Sequence, residues 1–316
     1  MTSSEQYEDL LEFAYGLAEK ASDMILKGSA ERWSKAADTT EKKNAVDLVT
    51  KTDQAVEEMI KASIKKAYPS HKFIGEESFE AGERDGLTDD FTWIVDPIDG
   101  TMNFVHSHPA VGCSIGLTHK SRPVVGVIAL PFYNQIFSAR EGGGAFMNRT
   151  IPLPLTGGIP QPLTELSQCL TTAEWGSDRS LKTITPKLNS FSKLAGDPAK
   201  GVQGGVLAHA LRTTGASTVN IAAVIAGQLD IYWDNGPWAW DVCAGIIILQ
   251  ETGGFFSGSK EDFEKDTPVG EMIMNRRYIF VRAVPDSQTE TGLEIQRRLV
   301  KELYDVVEPW TSSTMV

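Results

Sequence analysis

The apolar residues of this chain change their period near Phe91, and that switch limits the folds open to it. Before it, Leu10, Leu11, Ala14, Leu17, Ala18, Ala21 and Ile25 recur at helical spacing. Ser3 with Gln6 resembles a capping box, and Gly28 supplies a stop signal. Val56, Met59, Ile60, Ile64 and Ala67 share one face of a second helix over 53–67, which Pro69 ends. After the switch, short β-rich runs at 92–95, 111–117, 124–129 and 135–140 are parted by turn residues such as Ser121-Arg122-Pro123 and Tyr133-Asn134. They read as an antiparallel meander closed by a tight turn at Gly142-Gly143-Gly144. The remainder predicts strands at 168–173, 229–233 and 278–283. Helices are predicted at 185–194, 217–226, from near Asp241 to Gly253-Gly254, and at 289–304, with a flexible stretch around 196–205. There is no regular βαβ beat, so α+β layering is expected rather than a doubly wound sheet. The junction falls in the Pro/Gly/Ser/Thr-rich segment after Thr150, giving halves 1–150 and 151–316. No internal repeat is seen.

Charge narrows the partners. Thirty basic residues against 42 acidic ones leave a net charge of −12. Such a surface repels nucleic acid and anionic lipid, so neither is an expected partner. A bound anion would need a metal ion, backbone amides or a local basic cluster. Cys113, Cys169 and Cys243 are widely spaced and form no C-x-x-C pair, which predicts reduced thiols and a cytoplasmic protein. The first residues carry acids and no basic stretch before an apolar core, so no secretory leader is expected. No apolar run is long enough for a membrane span.

Three acidic stretches carry the chemistry: Gly75-Glu76-Glu77-Ser78, Asp96-Pro97-Ile98-Asp99-Gly100-Thr101, and Trp240-Asp241-Val242 with Asp234 upstream. In the second, an apolar strand delivers Asp96 to its end and Pro97 takes the chain out of the ladder. Gly100 permits an unusual backbone or a close ligand approach. Thr101-Met102-Asn103 can open a helix, placing the Gly100 and Thr101 amides as an anion nest. Carboxylates and a carbonyl beside such a nest suit Mg²⁺, which binds few protein oxygens and completes its shell with phosphate and water. A turn, a solvated acidic loop and a helix cap are the plainer explanations of the three stretches taken singly.

Taken together, the motifs resemble those of the inositol monophosphatase family, within the lithium-sensitive, magnesium-dependent phosphatases. The resemblance rests on Val46-Asp47-Leu48-Val49-Thr50 with Thr52-Asp53, on Phe73 to Ser78, and on Trp93 to His106. Gly144-Ala145-Phe146, Gly215 to Asn220 and Trp240 to Gly245 complete it, so that it covers nearly the whole chain. It implies an αβαβα sandwich and a homodimer. It implies two or three Mg²⁺ ions per subunit, held by Glu76, Asp96, the Ile98 carbonyl, Asp99 and Asp241, with Asp96 bridging two of them. Thr101, hydrogen-bonded to Asp53, would orient the attacking water, and Glu76 would assist the catalytic step through a weaker third ion. The substrate would meet Glu76, Ile98, Asp99 and the Gly100 and Thr101 amides. Its hydroxyls would meet Asp99, Asp234, Asp241 and the Gly215-Ala216-Ser217 turn.

The implied activity is hydrolysis of inositol monophosphate. Alternatives are a sugar phosphate, histidinol phosphate or 3′-phosphoadenosine 5′-phosphate, and, from another class, a catalytically silent metal-binding scaffold. Two departures bear on the substrate: Asp234 stands where the family usually has Glu, and Ala216 where it has Thr or Ser. The 199–205 loop and the Asn235–Trp240 segment are longer or bulkier than usual and are expected to line the pocket. His106-x-His108 lacks a third nearby ligand for zinc. Gly253 to Lys260 imitates a P-loop but has Ser259 where the lysine belongs. Lys42 is expected near the site, and Trp238 and Trp240 are expected to pack.

Overall fold

A computed structural model describes residues 3–34, 39–41, 48–83 and 86–309. Lys42, Lys43, Val46 and Asp47 lie outside them, as do the side chains of Ser3, Leu48 and Val49. In chain order, α1 (Ser3–Ser34) leads to a strand pair, β1 (Thr39–Glu41) and β2 (Leu48–Thr50), then to α2 (Lys51–Ala67), β3 (Lys72–Gly75) and α3 (Glu76–Glu80). The meander follows: β4 (Thr92–Asp99), α4 (Thr101–Val105), β5 (Gly112–His119), β6 (Arg122–Leu130), β7 (Gln135–Arg140), β8 (Ala145–Met147) and β9 (Ile151–Pro152). The rest comprises β10 (Leu170–Thr172), α5 (Leu181–Ala195), β11 (Ala210–Arg212), α6 (Ser217–Ile225), β12 (Ile231–Asn235), α7 (Ala239–Glu251), β13 (Phe255–Ser257), α8 (Lys260–Glu264), α9 (Val269–Met272), β14 (Arg277–Val281) and α10 (Gly292–Val306).

Two sheets organise these elements. One has seven strands in the sequential order β3 to β9, antiparallel except for the β3–β4 pair. The other has five, in the order β11-β10-β12-β14-β13, with parallel pairing from β11 through β12. Each sheet is apolar on both faces, so each must be covered twice. Leu10, Ala14, Leu17 and Ile25 of α1 and Val56, Ile60 and Ile64 of α2 pack on Trp93, Val95, Ile115 and Val127. The opposite face, with Ile94 and Ile128, meets α6 and α7. Along β12 and β14 the period of two is strict. Tyr232, Tyr278 and Phe280 face that middle helix layer, whereas Ile231, Trp233, Ile279 and Val281 face Leu194, Ile295, Leu299 and Leu303 of α5 and α10. The layers therefore alternate α, β, α, β, α, the expected α+β sandwich. Among the described residues no helix is long and apolar enough to cross a membrane, and Cys113, Cys169 and Cys243 are unpaired and buried.

Glycines set one contact that matters for the site. Gly116 and Gly126 face each other across β5 and β6. A Cβ on Gly116 would lie 2.5 Å from Cys243 Sγ, and one on Gly126 would lie 2.3 Å from the Ala244 carbonyl oxygen. The pair lets α7 lie directly on the sheet.

Three sequence expectations are corrected. Gly28 does not stop α1, which continues to Ser34; its missing side chain instead makes room for Thr52 of α2, 2.5 Å from where a Cβ would sit. The 92–95 strand runs on to Asp99 through a register shift. The 185–194 helix starts at Leu181, so Pro186 lies inside it rather than at its start.

Gly126→Ala should lower stability by about 1–3 kcal/mol, because the backbone of α7 must give way. Gly16→Ala in α1, where nothing lies within 4 Å of the new methyl group, should raise it by about 0.5–1 kcal/mol. Thermal unfolding of the two variants checks both signs; a neutral Gly126→Ala would refute the close seat of α7.

Candidate active site

The acidic motifs meet where β4 ends. Asp96 and Asp99 are three residues apart, an odd spacing that would point them to opposite faces of a regular strand. Asp96 pairs with Ser114 and Asp99 with Gly112, so three steps on β4 oppose two on β5. This bulge at Pro97-Ile98 turns both carboxylates toward one cavity. Gly100 then takes a left-handed conformation, φ 87° and ψ 39°, and Thr101 starts α4. A Cβ on Gly100 would lie 2.8 Å from the Ala110 carbonyl oxygen and 3.0 Å from Ala216 Cβ, so only glycine fits.

Asp241 arrives from the other side, in the first turn of α7. Its carboxylate accepts the Trp238 amide, closing a capping arrangement. Ser114 Oγ donates to the Trp240 carbonyl at 2.8 Å, tying this turn to β5. One carboxylate oxygen from each of Asp96, Asp99 and Asp241 lies within 4.8 Å of the others. Glu76 lines the same cavity from the first residue of α3. That short helix is held by Glu57 of α2, whose carboxylate accepts the Glu77 and Ser78 amides, both at 2.7 Å. Gly75 leaves room for it, since a Cβ there would lie 2.6 Å from the Glu57 carboxyl group.

The electrostatics are unfavourable for a bare protein. Burial, then Glu76, Asp241 and Asp99, hold Asp96 well above the usual carboxylate range. Burial pushes Asp99 up to about 7 despite two hydrogen bonds from Thr218, at 2.5 Å from its amide and 2.6 Å from its hydroxyl. Burial, then Asp99 and Glu76, raise Asp241. Among the described residues, the buried Asp96 Oδ1 has no hydrogen-bond partner. An orphaned buried oxygen among like charges is the environment a hard divalent cation satisfies.

Thr101 Oγ1 lies 3.1 Å from Asp53 Oδ1 and 3.1 Å from the Ile98 carbonyl oxygen. Asp53 is itself fixed as a helix cap, with Thr50 donating to its other oxygen from the amide at 3.2 Å and from the hydroxyl. Thr101, with Asp53 buried behind it, and the candidate metal ligands Glu76, Asp96, Ile98, Asp99 and Asp241 thus open on one cavity of about 370 Å³. Gly215, Ala216, Ser217 and Asp234 also line it. Asn103 fastens the turn to α4 by donating to the Ala110 and Thr214 carbonyls at 2.7 and 2.8 Å.

The expected extra walls divide. Asn235, Gly236, Pro237, Trp238 and Trp240 line the cavity. The 199–205 loop does not; it folds back on the end of α5, where Val206 donates to the Lys193 carbonyl at 2.8 Å. Trp238 and Trp240 stack on each other at 5.0 Å, with Arg276 over the Trp238 ring at 3.6 Å. Arg276, Arg179, Lys187 and Glu174 line the cavity and carried no sequence signal. They lie outside the acidic motifs, and only the fold brings them in.

A family model described as the inositol monophosphatase family matches residues 6–300. The chain belongs to the inositol monophosphatase family. It is 40% identical over 309 residues to protein qutG of Emericella nidulans, covering 95% of this chain and 93% of that one. It is 35% identical to the quinic acid degradation cluster protein x of Neurospora crassa, covering 96% and 95%. Inositol monophosphatase 1 of Homo sapiens matches at 37% over 251 residues, 79% of this chain and 84% of the relative. The solved inositol monophosphatase from Anabaena superposes with a TM-score of 0.71 at 27% identity, covering 95% and 96%. Membership of the inositol monophosphatase family makes the chain a phosphatase of small phosphate monoesters, in a family that generally uses Mg²⁺, and its acidic cluster can hold such an ion.

The raised carboxylates give a testable sign. Asp99 binds its proton up to about pH 7 in the folded chain, but only to about pH 4 when unfolded. Its contribution to stability is full below about pH 4 and is lost as pH rises through about 7. In chelator, Asp99→Asn should therefore gain stability over the parent as pH climbs across that window, and Mg²⁺ at pH 7.5 should narrow the gap by stabilising the parent. A difference that stays flat with pH, followed by thermal unfolding, would refute the assignment.

Proposed function

We propose that this family member is a Mg²⁺-dependent phosphomonoesterase that hydrolyses inositol monophosphate to inositol and phosphate. The observation that supports the reading is the convergence of Asp96, Asp99 and Asp241 on one point of a cavity also lined by Thr101, whose hydroxyl is backed by Asp53. Glu76, Asp96, the Ile98 carbonyl, Asp99 and Asp241 would hold two or three ions. Bound there, Mg²⁺ supplies the positive charge that a phosphate dianion needs in order to approach these carboxylates, and it polarises the phosphoryl oxygens.

The chain's own groups do the rest. The Thr101 hydroxyl directs its proton to Asp53 Oδ1, which leaves Thr101 Oγ1 as an acceptor for a proton of the attacking water. The Gly100 and Thr101 amides, presented by the left-handed turn, receive phosphoryl oxygens as charge develops on them. Asp234, Asp241 and the Gly215–Ser217 turn accept and donate to hydroxyls of the alcohol part, because an acceptor left unmet in a closed pocket rejects analogues. No covalent enzyme intermediate is required.

A second reading concerns the ring. Asp234 is one methylene shorter than the usual family glutamate, and the Neurospora relative is named for a quinic acid degradation cluster. A phosphate ester of a polyol acid of that type therefore joins the test panel beside a sugar phosphate. Homodimer formation and lithium inhibition accompany the proposal on family resemblance, and a cytoplasmic location on the widely spaced cysteines.

Phosphate release from inositol 1-phosphate should need Mg²⁺ and stop with chelator. Thr101→Ala should lower kcat about 10²- to 10⁴-fold with little change in KM. Turnover unaffected by chelation, or a full rate from Thr101→Ala, would overturn the mechanism. A higher specificity constant for another ester in the panel would reassign the substrate.

A further inference from the structure

Lys187 is 1% exposed in its side chain, yet it lines the catalytic cavity. A lysine this deeply buried is held only by a full set of partners. Its ammonium donates to the Glu174 carbonyl at 2.5 Å and to the Trp175 carbonyl at 3.0 Å, and it lies 3.6 Å from Asp234 Oδ1. Two backbone carbonyls accept from the ammonium, and the Asp234 carboxylate stands at ion-pair distance from it. These partners all belong to the pocket wall.

What it holds are the two elements that face the alcohol part of the substrate. One is Asp234, whose Oδ1 also accepts the Asn235 amide at 2.7 Å and whose Oδ2 lies 3.4 Å from the Tyr232 hydroxyl. The other is the 213–217 turn. Glu174, whose carbonyl Lys187 grips, sends its carboxylate to the Thr214 amide at 2.6 Å, to Asn220 Nδ2 at 2.7 Å and to the Thr213 hydroxyl at 2.9 Å. The Tyr232 hydroxyl closes the loop at 3.0 Å from Ser217 Oγ. Asp234, Glu174, Tyr232, Ser217 and the turn thus form one network with the ammonium at its node.

We propose that Lys187 is a positioning residue for substrate selection, fixing the Asp234 carboxylate and, through Glu174, the Gly215–Ser217 turn in the geometry that reads ring hydroxyls. The inference rests on the phosphomonoesterase reading and adds a residue outside the acidic motifs. Removing the ammonium leaves Asp234 buried beside Glu174 without its cation. Burial already holds Asp234 at about 6, with Lys187 lowering and Glu174 raising it. Loss of Lys187 would thus favour the protonated form, which donates where the pocket needs an acceptor.

The test compares Lys187→Met, Lys187→Arg, Asp234→Asn and the double variant on inositol 1-phosphate and on p-nitrophenyl phosphate, with Mg²⁺. Activity of the parent on either ester establishes the phosphatase reading independently of Lys187. Lys187→Met should raise KM for the polyol ester about 10-fold or more, with kcat and the aryl ester changed less than about 2-fold. Lys187→Arg should recover most of that loss. The double variant should be no worse than Asp234→Asn, since coupled residues are not additive. Additive losses, or an equal loss on both esters by a folded Lys187→Met, each overturn the proposal. Should Lys187→Met fail to fold, Asp234→Asn decides: an enzyme that keeps its preference for the polyol ester refutes a network built to hold Asp234.

Discussion

Mutual repulsion among buried carboxylates is the constraint around which this molecule is arranged. Asp96, Asp99 and Asp241 are drawn from a strand end, a bulge and a helix start, and each is buried. Like charges at such spacing would separate if the backbone allowed it. It does not, because each is fastened by neighbours unconcerned with charge: Asp99 by Thr218, Asp241 by the Trp238 amide, and Asp96 by its place in the β4–β5 ladder. The surrounding layers supply stiffness, and a divalent cation held there would supply the missing attraction. Cation binding and local stability would then be one equilibrium seen from two sides.

Much of the layered fold was legible because periodicity reports burial. The meander of β5, β6 and β7 and the helices α2, α6 and α7 follow patterns that a single segment contains. Two of the misreadings share a cause. Gly28 and Pro186 are strong local signals, but α1 continues because Gly28 packs on Thr52 and α5 continues through Pro186 on the strength of its buried face. The tertiary contact overrode the local preference. Strand β3 is only four residues long and carried no period of its own.

The candidate site divides along the same line. Glu76, Asp96, Asp99, Thr101 and Asp241 stand in short motifs whose composition carries their chemistry. Lys187 sits on α5 as one polar residue among many, Arg276 at a turn before β14, and Glu57 on a helix face that reads as ordinary surface. Their roles come from long-range placement: 47 positions part Lys187 from Asp234, and 20 part Glu57 from the Glu77 amide. A single sequence shows groups that react, and is nearly silent on groups that hold them still.

The paired glycines at Gly116 and Gly126 have a reach beyond packing. They seat α7 on the sheet at the central segment Cys243–Ala244, two residues along from Asp241. Helix and sheet are rigid over that length, so the thickness of the seat gauges the gap between Asp241 on one body and Asp96 on the other. A methyl group slipped under the helix would work as a shim, lifting Asp241 away from Asp96 from a place outside the cavity wall.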